Sequence, residues 1–361
     1  MTGAPAAVPN RQTQDMLENG ALTILRIPRR SMLTAALVMC GLLLPCQPDI
    51  GYPQATSPIT SSGLNTNIAK HGTTFDITGG TRPGGGPNLF HSFGEFGVPA
   101  NQVANFLNDS GLATTNILSR VTGGTPSNIF GTIQTTGFGN ANLFMMNPAG
   151  MVFGPNASLN VGGSVHFTTA DYLRLGDGAR FNAIPGVQDA AVSSAPVAAF
   201  GFLGTNPAAI TVEGSHLTVA EGQSLSLVGG NIDIHTGSLE NGSSQSAHLS
   251  APRGQINLAS VASSGEILVG SLDQAPNIHH QSFSTLGAIQ ILQQSIVEVS
   301  GNAGGSVAIR SGQFVLNDST IAATTTGPGM GQPPTESRGS VTVSASNVRL
   351  ENGATMRANA D

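Results

Sequence analysis

Carboxylates and histidines are the side chains of this sequence that could do chemistry, and they form no recognisable catalytic pattern. The acids of the repeats include Glu213, Glu221, Asp233, Glu240, Glu266, Asp273, Glu298 and Asp318. Sugar-cleaving enzymes need two carboxylates about 5–10 Å apart on one face of the fold. These acids are thinly spread and do not recur at one position of a repeat, so the sequence predicts no catalytic pair.

Motifs of other reaction classes are also missing from the sequence. It has no Gly-x-Ser-x-Gly, Cys-x-x-Cys, His-Glu-x-x-His or phosphate-binding loop motif. His279 and His280 are adjacent, which is not the spacing of a metal site, and we interpret the pair as part of a surface turn. The sequence therefore predicts a protein without catalytic residues, metal or cofactor.

Low charge and abundant glycine characterise the chain. Only 9% of its 361 residues are Asp, Glu, Lys or Arg, whereas 39% are apolar and 47 are glycine. Soluble proteins have about 25% charged residues. Short strands joined by many turns suit this composition, so we predict an all-β fold. The formal net charge is −6 and the arginines are scattered singly from Arg82 to Arg357, which argues against nucleic acid as a partner.

A leader precedes the part of the chain that we expect to fold. Basic residues around Arg29 lie before an apolar run at residues 32–45. That run has the length of a signal-peptide core and is too short to span a bilayer, which takes about 20 residues. We interpret residues 1–55 as a signal peptide or extended leader that is processed near Ala55, and a retained anchor is the alternative. Both cysteines lie within it, so we expect no disulfide in the rest of the chain.

Short bursts of alternating apolar and polar residues, typical of half-buried strands, repeat along the second half. The recurring sets are Ile210, Val212 and Leu217 with Ile232, Ile234 and Leu239 (22 residues later); Gly254, Ile256 and Leu258 with Gly287, Ile289 and Ile291 (33 later); Gly287, Ile289, Ile291 and Ile296 with Gly305, Val307, Ile309 and Phe314 (18 later); and Gly305, Val307, Ile309, Phe314 and Leu316 with Gly339, Val341, Val343, Val348 and Leu350 (34 later). Without a Gly- and Pro-rich insertion at residues 324–338, the last step is 19 residues. The period is therefore about 18 to 22 residues, which is typical of a solenoid.

The solenoid is expected to be a parallel β-helix, because leucine-rich and helical repeat patterns are missing. Equivalent Val, Ile and Leu side chains would stack as ladders in a narrow interior. Regular coils are expected after residue 140, and the irregular residues 60–140 are expected to cap the open sheet edges at the N-terminal end. Within them, residues 98–107 fit either a short helical turn or a strand. The unit pattern breaks off at Asp361, so we expect a fragment or a truncated gene.

Residues 79–175 carry a series of short motifs in order. They are residues 79–82 (GGTR), 88–93 (NLFHSF), 119–124 (SRVTGG), 127–131 (SNIFG), 141–157 (ANLFMMNPAGMVFGPNA), 162–164 (GGS) and 168–171 (TTAD). Together they closely resemble the N-terminal secretion domain of the filamentous haemagglutinin family, large exoproteins of two-partner secretion in Gram-negative bacteria and cyanobacteria. The similarity covers about residues 58–361. It implies a right-handed parallel β-helix with an N-terminal cap, entry to the periplasm through the Sec machinery, recognition by the POTRA domains of an outer-membrane TpsB-type transporter, and folding outside the cell.

The hallmark motif of that family, Asn-Pro-Asn-Gly-Ile, maps onto Asn147, Pro148, Ala149, Gly150 and Met151. Ala149 lacks an amide that could bond the turn backbone, and Met151 in place of Ile is a mild apolar exchange. Asn147, Pro148 and Gly150 keep the turn chemistry, so we expect a tight β-turn. The resemblance implies that these three residues form an export-signal motif for transporter recognition. The motif could contact the transporter directly or act by fixing the fold that the transporter reads.

The resemblance also suggests a division of the chain and a function. Residues 1–55 form the leader, residues 56–175 the two-partner secretion cap and first coils, and residues 176–361 the repeat coils. We predict a non-enzymatic protein, secreted to the medium or cell surface by way of the periplasm, that acts as a filamentous-haemagglutinin-like adhesin on host-cell or surface glycans. The alternatives are a polysaccharide-active β-helix enzyme and an autotransporter passenger with its own barrel.

Overall fold

The computed structural model describes residues 59–186, 192–269, 283–326 and 339–358. The leader at residues 1–55 and the pair His279–His280 lie outside these residues. The described chain consists of strands joined by turns, with a single 3-10 turn at Pro83–Gly85. In these four stretches no helix is long and apolar enough to cross a membrane.

Strands follow one another along the whole described chain. They are β1 (Ser61–Gly63), β2 (Thr66–His71), β3 (Thr74–Gly79), β4 (Asn88–Phe93), β5 (Val103–Leu107), β6 (Asn116–Val121), β7 (Ser127–Ile129), β8 (Thr132–Thr136), β9 (Asn142–Met146), β10 (Met151–Phe153), β11 (Ser158–Asn160), β12 (Val165–Thr168), β13 (Tyr172–Leu175), β14 (Arg180–Asn182), β15 (Val197–Phe202), β16 (Ile210–Glu213), β17 (His216–Thr218), β18 (Ser224–Gly229), β19 (Ile232–His235), β20 (Gly237–Ser238), β21 (Ser244–Gln245), β22 (His248–Ser250), β23 (Gln255–Ser260), β24 (Gly265–Leu268), β25 (Ala288–Leu292), β26 (Ile296–Glu298), β27 (Ser306–Asn317), β28 (Thr320–Ala322), β29 (Ser340–Glu351) and β30 (Thr355–Arg357).

Most of these strands form the three sides of stacked coils. The first side contains β4, β6, β9, β12, β18, β23 and the first halves of β27 and β29; the second contains β7, β10, β16, β19, β25 and the second halves of β27 and β29; the third contains β5, β8 and β11, followed by β17, β22, β26, β28 and β30. Neighbouring coils pair in parallel and in register. The fold is the right-handed parallel β-helix that the sequence predicts.

Inward side chains stack as ladders, as the repeats predict, although one of the four repeat alignments is wrong in part and two are wrong throughout. Ile210 stacks on Ile232 at the 22-residue step, and all of the 34-residue step is confirmed. Leu217 stacks on Leu249 instead of Leu239, because the hairpin β20–β21 is inserted before the third side.

The 33-residue and 18-residue alignments are wrong because they equate strands of two different sides. Ile256 on the first side stacks on Val307, whereas Ile289 on the second side stacks on Phe314. The chain between stacked residues measures 22 residues from Ile210 to Ile232 but 57 residues from Ile232 to Ile289, so the coils share no constant period.

Antiparallel strands cap the N-terminal end of the β-helix. β1 pairs with β4 and β2 pairs with β3, both antiparallel. Coils begin at β4, however, so the expectation that they start after residue 140 is wrong. Every residue of β4 and β6 is buried, and a strand covered on both faces lacks the alternation that reveals a half-buried strand. Residues 103–107 adopt the strand alternative, β5.

A second, smaller sheet lies outside the coils. It has the strand order β14–β13–β15–β24, with antiparallel pairing throughout. Its inward side chains, among them Leu173, Phe181 and Phe200, are buried together with Phe144 and Val228 of the first side. This extra-helical sheet therefore covers the outer surface of the first side and has its own apolar core.

Candidate functional site: the turn at residues 147–150

The predicted export-signal residues lie at the corner between the first and second sides of one coil. Asn147 follows β9 directly, and Met151 begins β10. The Gly150 N–H donates to the carbonyl of Asn147 at 3.1 Å and closes the turn. Gly150 has φ +110°, and a Cβ there would lie 3.1 Å from the carbonyl oxygen of Ala209. The positive φ therefore favours glycine, and a Cβ would also make a tight contact with the Ala209 carbonyl.

The side chain of Asn147 is completely buried and fully used within the fold. Its Nδ2 donates to the Thr125 carbonyl at 3.0 Å and to Ser127 Oγ at 2.9 Å, and its Oδ1 accepts from the Ala149 N–H at 2.9 Å. Thr125 and Ser127 belong to the preceding coil. The Asn147 amide thus stabilises its own turn and joins the turn to the preceding coil.

Backbone hydrogen bonds continue the connection in both directions. The Ser127 N–H donates to the Gly150 carbonyl at 3.0 Å on the preceding coil. Towards the following coil, the Asn147 N–H donates to the Thr168 carbonyl at 2.9 Å and the Met151 N–H donates to the Ala209 carbonyl at 3.2 Å. The chain leaves the coils for the extra-helical sheet after Thr168 and returns to them at Ala209. Because the turn is bonded to both residues, it supports the base of that sheet.

Only the middle of the turn is accessible to a partner. Pro148 and Ala149 are partly exposed, whereas Asn147 and Gly150 are buried. The structure brings the three sequence-predicted residues together as a tight turn. Sequence reasoning missed the partner Ser127, although the motif at residues 127–131 was a signal that could have identified it.

Two histidines are buried near the first side, and neither is arranged for catalysis. His166 stacks on Phe144 with ring centroids 4.4 Å apart and lies 3.0 Å from Ser226 Oγ through Nδ1. His91 lies 3.2 Å from Thr66 Oγ1 through Nδ1. Burial lowers the pKa of each histidine to about 3, and Arg82 adds to the effect at His91. Both imidazoles are neutral parts of the core at neutral pH.

Asp233 and Glu213 have no carboxylate beside them in the register, whereas the pair of a sugar-cleaving enzyme would require one. In the register of the second side, Asp233 lies between Thr211 and Gln290, and Glu213 lies beside His235. Glu266 is in the extra-helical sheet, away from these coils. Within the described stretches, no group of three His, Cys, Asp or Glu residues could hold a metal ion.

A cavity of about 510 Å³ lies where the extra-helical layer ends. Its described lining residues are Phe283, Ser284, Thr285, Leu286, Arg310, Ser311, Gly312, Ser344, Ala345 and Ser346. This lining contains no carboxylate or imidazole. The described residues around the cavity therefore offer no general acid or base.

Comparisons with known proteins identify the family. The sequence profile described as TPS secretion domain, where TPS denotes two-partner secretion, matches residues 56–309. The crystal structure of the filamentous hemagglutinin secretion domain is similar, with 15% identity, a TM-score of 0.47, and coverage of 84% of this chain and 99% of that one. The HMW1 secretion domain from Haemophilus influenzae is similar too, with 15% identity, a TM-score of 0.46, and coverage of 83% and 73%. No curated protein matches the sequence significantly.

The profile spans most of the described coils, the cap, the extra-helical sheet and the turn at residues 147–150. This result favours the two-partner route over the autotransporter and enzyme alternatives. The matched stretch exceeds half of the chain, and the chain therefore belongs to the TPS secretion domain family, as the N-terminal secretion domain of an exoprotein that a TpsB-type outer-membrane transporter exports.

Proposed function

We propose that the turn formed by Asn147, Pro148 and Gly150 is an export signal that acts through the fold. The observation that carries this proposal is the burial of Asn147, whose amide is consumed by three hydrogen bonds within the chain. A buried and satisfied side chain cannot bond a partner unless the fold opens. The turn instead holds together three successive coils and the base of the extra-helical sheet.

The route to the transporter is part of the same proposal. Residues 1–55 direct the chain through the Sec machinery into the periplasm, where POTRA domains of the transporter recognise residues 56–175. Residues 176–361 continue the β-helix and fold outside the cell. The family match at residues 56–309 supports the transporter as partner, and the apolar run at residues 32–45 supports Sec entry.

Secretion with and without the transporter tests this proposal. The full chain, leader included, is expressed in a Gram-negative host with and without the cognate transporter, and its release into the medium is measured by immunoblot. Wild-type release should require the transporter, and Asn147→Ala and Gly150→Ala should reduce it. Asn160→Ala is the matched control, because its amide bonds Gln134 at 3.0 Å on the exposed third side.

The outcomes separate the export role from the turn's mechanism. Wild-type release that is equal without the transporter would overturn the two-partner route. Unchanged release of both turn variants would overturn the role of the turn alone. If Pro148→Ser lowers release without lowering the unfolding midpoint, the transporter reads the turn directly, and action through the fold is wrong.

The exported protein is proposed to bind surface glycans without cleaving them. The family is one of secretion domains and not of enzymes, and neither Asp233 nor Glu213 lies beside a carboxylate of a neighbouring coil. Purified secreted chain should bind members of a glycan array and release no new reducing ends from them. Time-dependent release of reducing ends would show that the enzyme alternative is correct.

A further inference from the structure

The fourth strand of the extra-helical sheet comes from a different part of the chain than the other three. β13, β14 and β15 lie in the segment between β12 and β16, whereas β24 lies in the later segment between β23 and β25. On the first side of the coils, β18 stands between β12 and β23. β24 pairs antiparallel with β15, with Ile267 opposite Phe200. The sheet therefore joins two coils that are not neighbours in the stack.

A connection between coils that are not neighbours is unusual in a solenoid. Each repeat normally contacts only the repeats next to it, so the stack can open one coil at a time from an end. β27 and β29 pair with other strands of the coils, and neither pairs with the extra-helical sheet. Opening that begins in β29 can therefore spread to β27 by breaking contacts between neighbouring coils alone. The coil that carries β23 differs, because β24 begins only five residues after β23 ends and is attached to β15.

Glu266 fastens β24 to β13 across the strand that lies between them. The Tyr172 hydroxyl donates to Glu266 Oε1 at 2.8 Å, and Arg174 Nε lies 3.0 and 3.1 Å from the two oxygens of the same carboxylate. The register partner of Tyr172 on β15 is Gly201, where a Cβ would lie 2.0 Å from the phenol ring. The Tyr172 ring can reach over β15 because that Cβ is missing. One carboxylate of β24 thus bonds two residues of a strand with which β24 is not paired.

These bonds are shielded from water. Tyr172 is 4% exposed, and the side chains of Arg174 and Glu266 are each 27% exposed. Burial and the hydrogen bond to Glu266 raise the pKa of Tyr172 to about 12, so its hydroxyl is protonated at neutral pH and can donate. Hydrogen bonds to a carboxylate are stronger than those between neutral groups, and partial burial strengthens them further. The attachment of β24 is therefore stronger than its four residues suggest.

Apolar contacts anchor the opposite face of β24. Ile267 is completely buried in one cluster with Phe200 and Phe202 of β15 and Val228 of β18. Phe283, from the same segment of the chain as β24, lies with its ring centroid 6.2 Å from that of Phe202. Removal of β24 from the sheet would expose these side chains to water, which opposes its release.

We propose that β24 is a strap, a conformational device that stops unfolding of the β-helix from spreading past β23. The coils that follow the strap can open and close on their own, whereas the coils from β12 to β23 open only together with the extra-helical sheet. Proteases cut a protein in its opened state, so the strap confines cleavage of the secreted chain to the coils that follow it. This inference concerns the folded chain and does not depend on the export role of the turn.

Native-state hydrogen exchange of the purified full chain tests the strap. Exchange is followed by mass spectrometry of peptides at low urea concentrations, which reveals local opening below the global unfolding transition. Amides of β27 and β29 should exchange at least about tenfold faster than amides of β12, β18 and β23. The step between the two groups should fall at β24.

Two variants weaken the strap to different degrees. Glu266→Ala removes the bonds to both Tyr172 and Arg174 and leaves a buried hydroxyl unsatisfied, so amides of β23 and β24 should exchange about tenfold faster or more. Amides of β4 and β6 should keep their wild-type exchange. Tyr172→Phe removes only the hydroxyl and keeps the ring, so the same strands should show a smaller acceleration.

Glu221→Ala is the matched control, because it also removes a carboxylate that is bonded to an arginine. The Glu221 carboxylate lies 3.0 Å from Arg253 Nη1 and is more exposed than Glu266. The pair joins turns of two neighbouring coils and has no contact with β24. The control should therefore leave the exchange of β23 and of the extra-helical sheet unchanged.

Each outcome supports or overturns the strap. Wild-type exchange at one common rate, or a gradual change without a step at β24, overturns it. Equal exchange of β23 and β24 in Glu266→Ala and Glu221→Ala overturns it as well. If far-UV circular dichroism shows that Glu266→Ala does not fold, Tyr172→Phe decides: faster exchange confined to β23 and the extra-helical sheet supports the strap, and wild-type exchange there overturns it.

Discussion

Replacing Asn147 with alanine should lower the free energy of unfolding by about 2–6 kcal/mol. The amide makes three hydrogen bonds, and their partners differ in their access to water. Ser127 is completely buried, so its hydroxyl is left unsatisfied, at a cost of about 1–3 kcal/mol. Thr125 is exposed and Ala149 is partly exposed. Water replaces the amide at those two sites, and each lost bond costs only about 0.5–1.5 kcal/mol.

Urea unfolding of the purified full chain, followed by far-UV circular dichroism, measures this loss. Asn160→Ala is the control and should change the free energy by less than about 0.5 kcal/mol, as exposed sites do. Ser127→Ala should reproduce part of the loss, and the double variant should be less destabilised than the sum of the two single variants. If Asn147→Ala unfolds within about 0.5 kcal/mol of the wild type, the burial argument is refuted.

Three further predictions concern the buried histidines, the ladders and the extra-helical sheet. In the folded chain the pKa of His91 and of His166 is about 3, below the ordinary value of 6.5. Between pH 3 and pH 6.5 the unfolded chain therefore binds more protons than the folded chain. The free energy of unfolding consequently falls as the pH drops below 6.5. At pH 5 the expected loss in the free energy of unfolding is about 2 kcal/mol for each histidine. Urea unfolding at pH 7.5 and at pH 5 measures this loss. Equal free energies of unfolding at the two pH values would contradict the prediction. Ile232→Ala empties a fully buried ladder position and should cost about 2–5 kcal/mol in the same assay at neutral pH, whereas a cost below about 1 kcal/mol would argue against tight stacking. Gly201→Ala should displace the Tyr172 ring and lower the unfolding midpoint, with a loss of the near-UV tyrosine signal; an unchanged signal would show that the ring does not need the glycine.

The predictability of the fold depended on how much each strand faces solvent. Ile210 and Val212 belong to a half-buried strand, so their alternation predicts both the strand and its ladder. β4 and β6 are covered on both faces, by the interior and by the cap and extra-helical layer, and their sequences show no period of two. The first coils were therefore mistaken for an irregular cap.

The candidate site also has parts that the sequence could predict and parts that it could not. The turn residues Asn147, Pro148 and Gly150 could be predicted because each has a local backbone preference that needs no knowledge of distant residues. The role of Ser127 could not, because it depends on the stacking of two coils. The contact between Tyr172 and Glu266 could not be predicted either, because these residues are 94 positions apart and meet only through the pairing of β13, β15 and β24.

The amino-acid sequence by itself determined the class of fold, the turn at residues 147–150 and the family of this protein. The alternation of apolar and polar residues, the glycine at a corner with positive φ and the short motifs are local properties. They can therefore be recognised in the sequence without a structure. Only the tertiary structure decided which strands stack. Insertions of different length, such as the hairpin β20–β21 and the extra-helical sheet, separate neighbouring coils, and the sequence therefore has no constant period. It also decided that Asn147 is buried and that Ile184 and Leu203 are exposed, because burial is set by the neighbours that the long-range pairing of strands brings together.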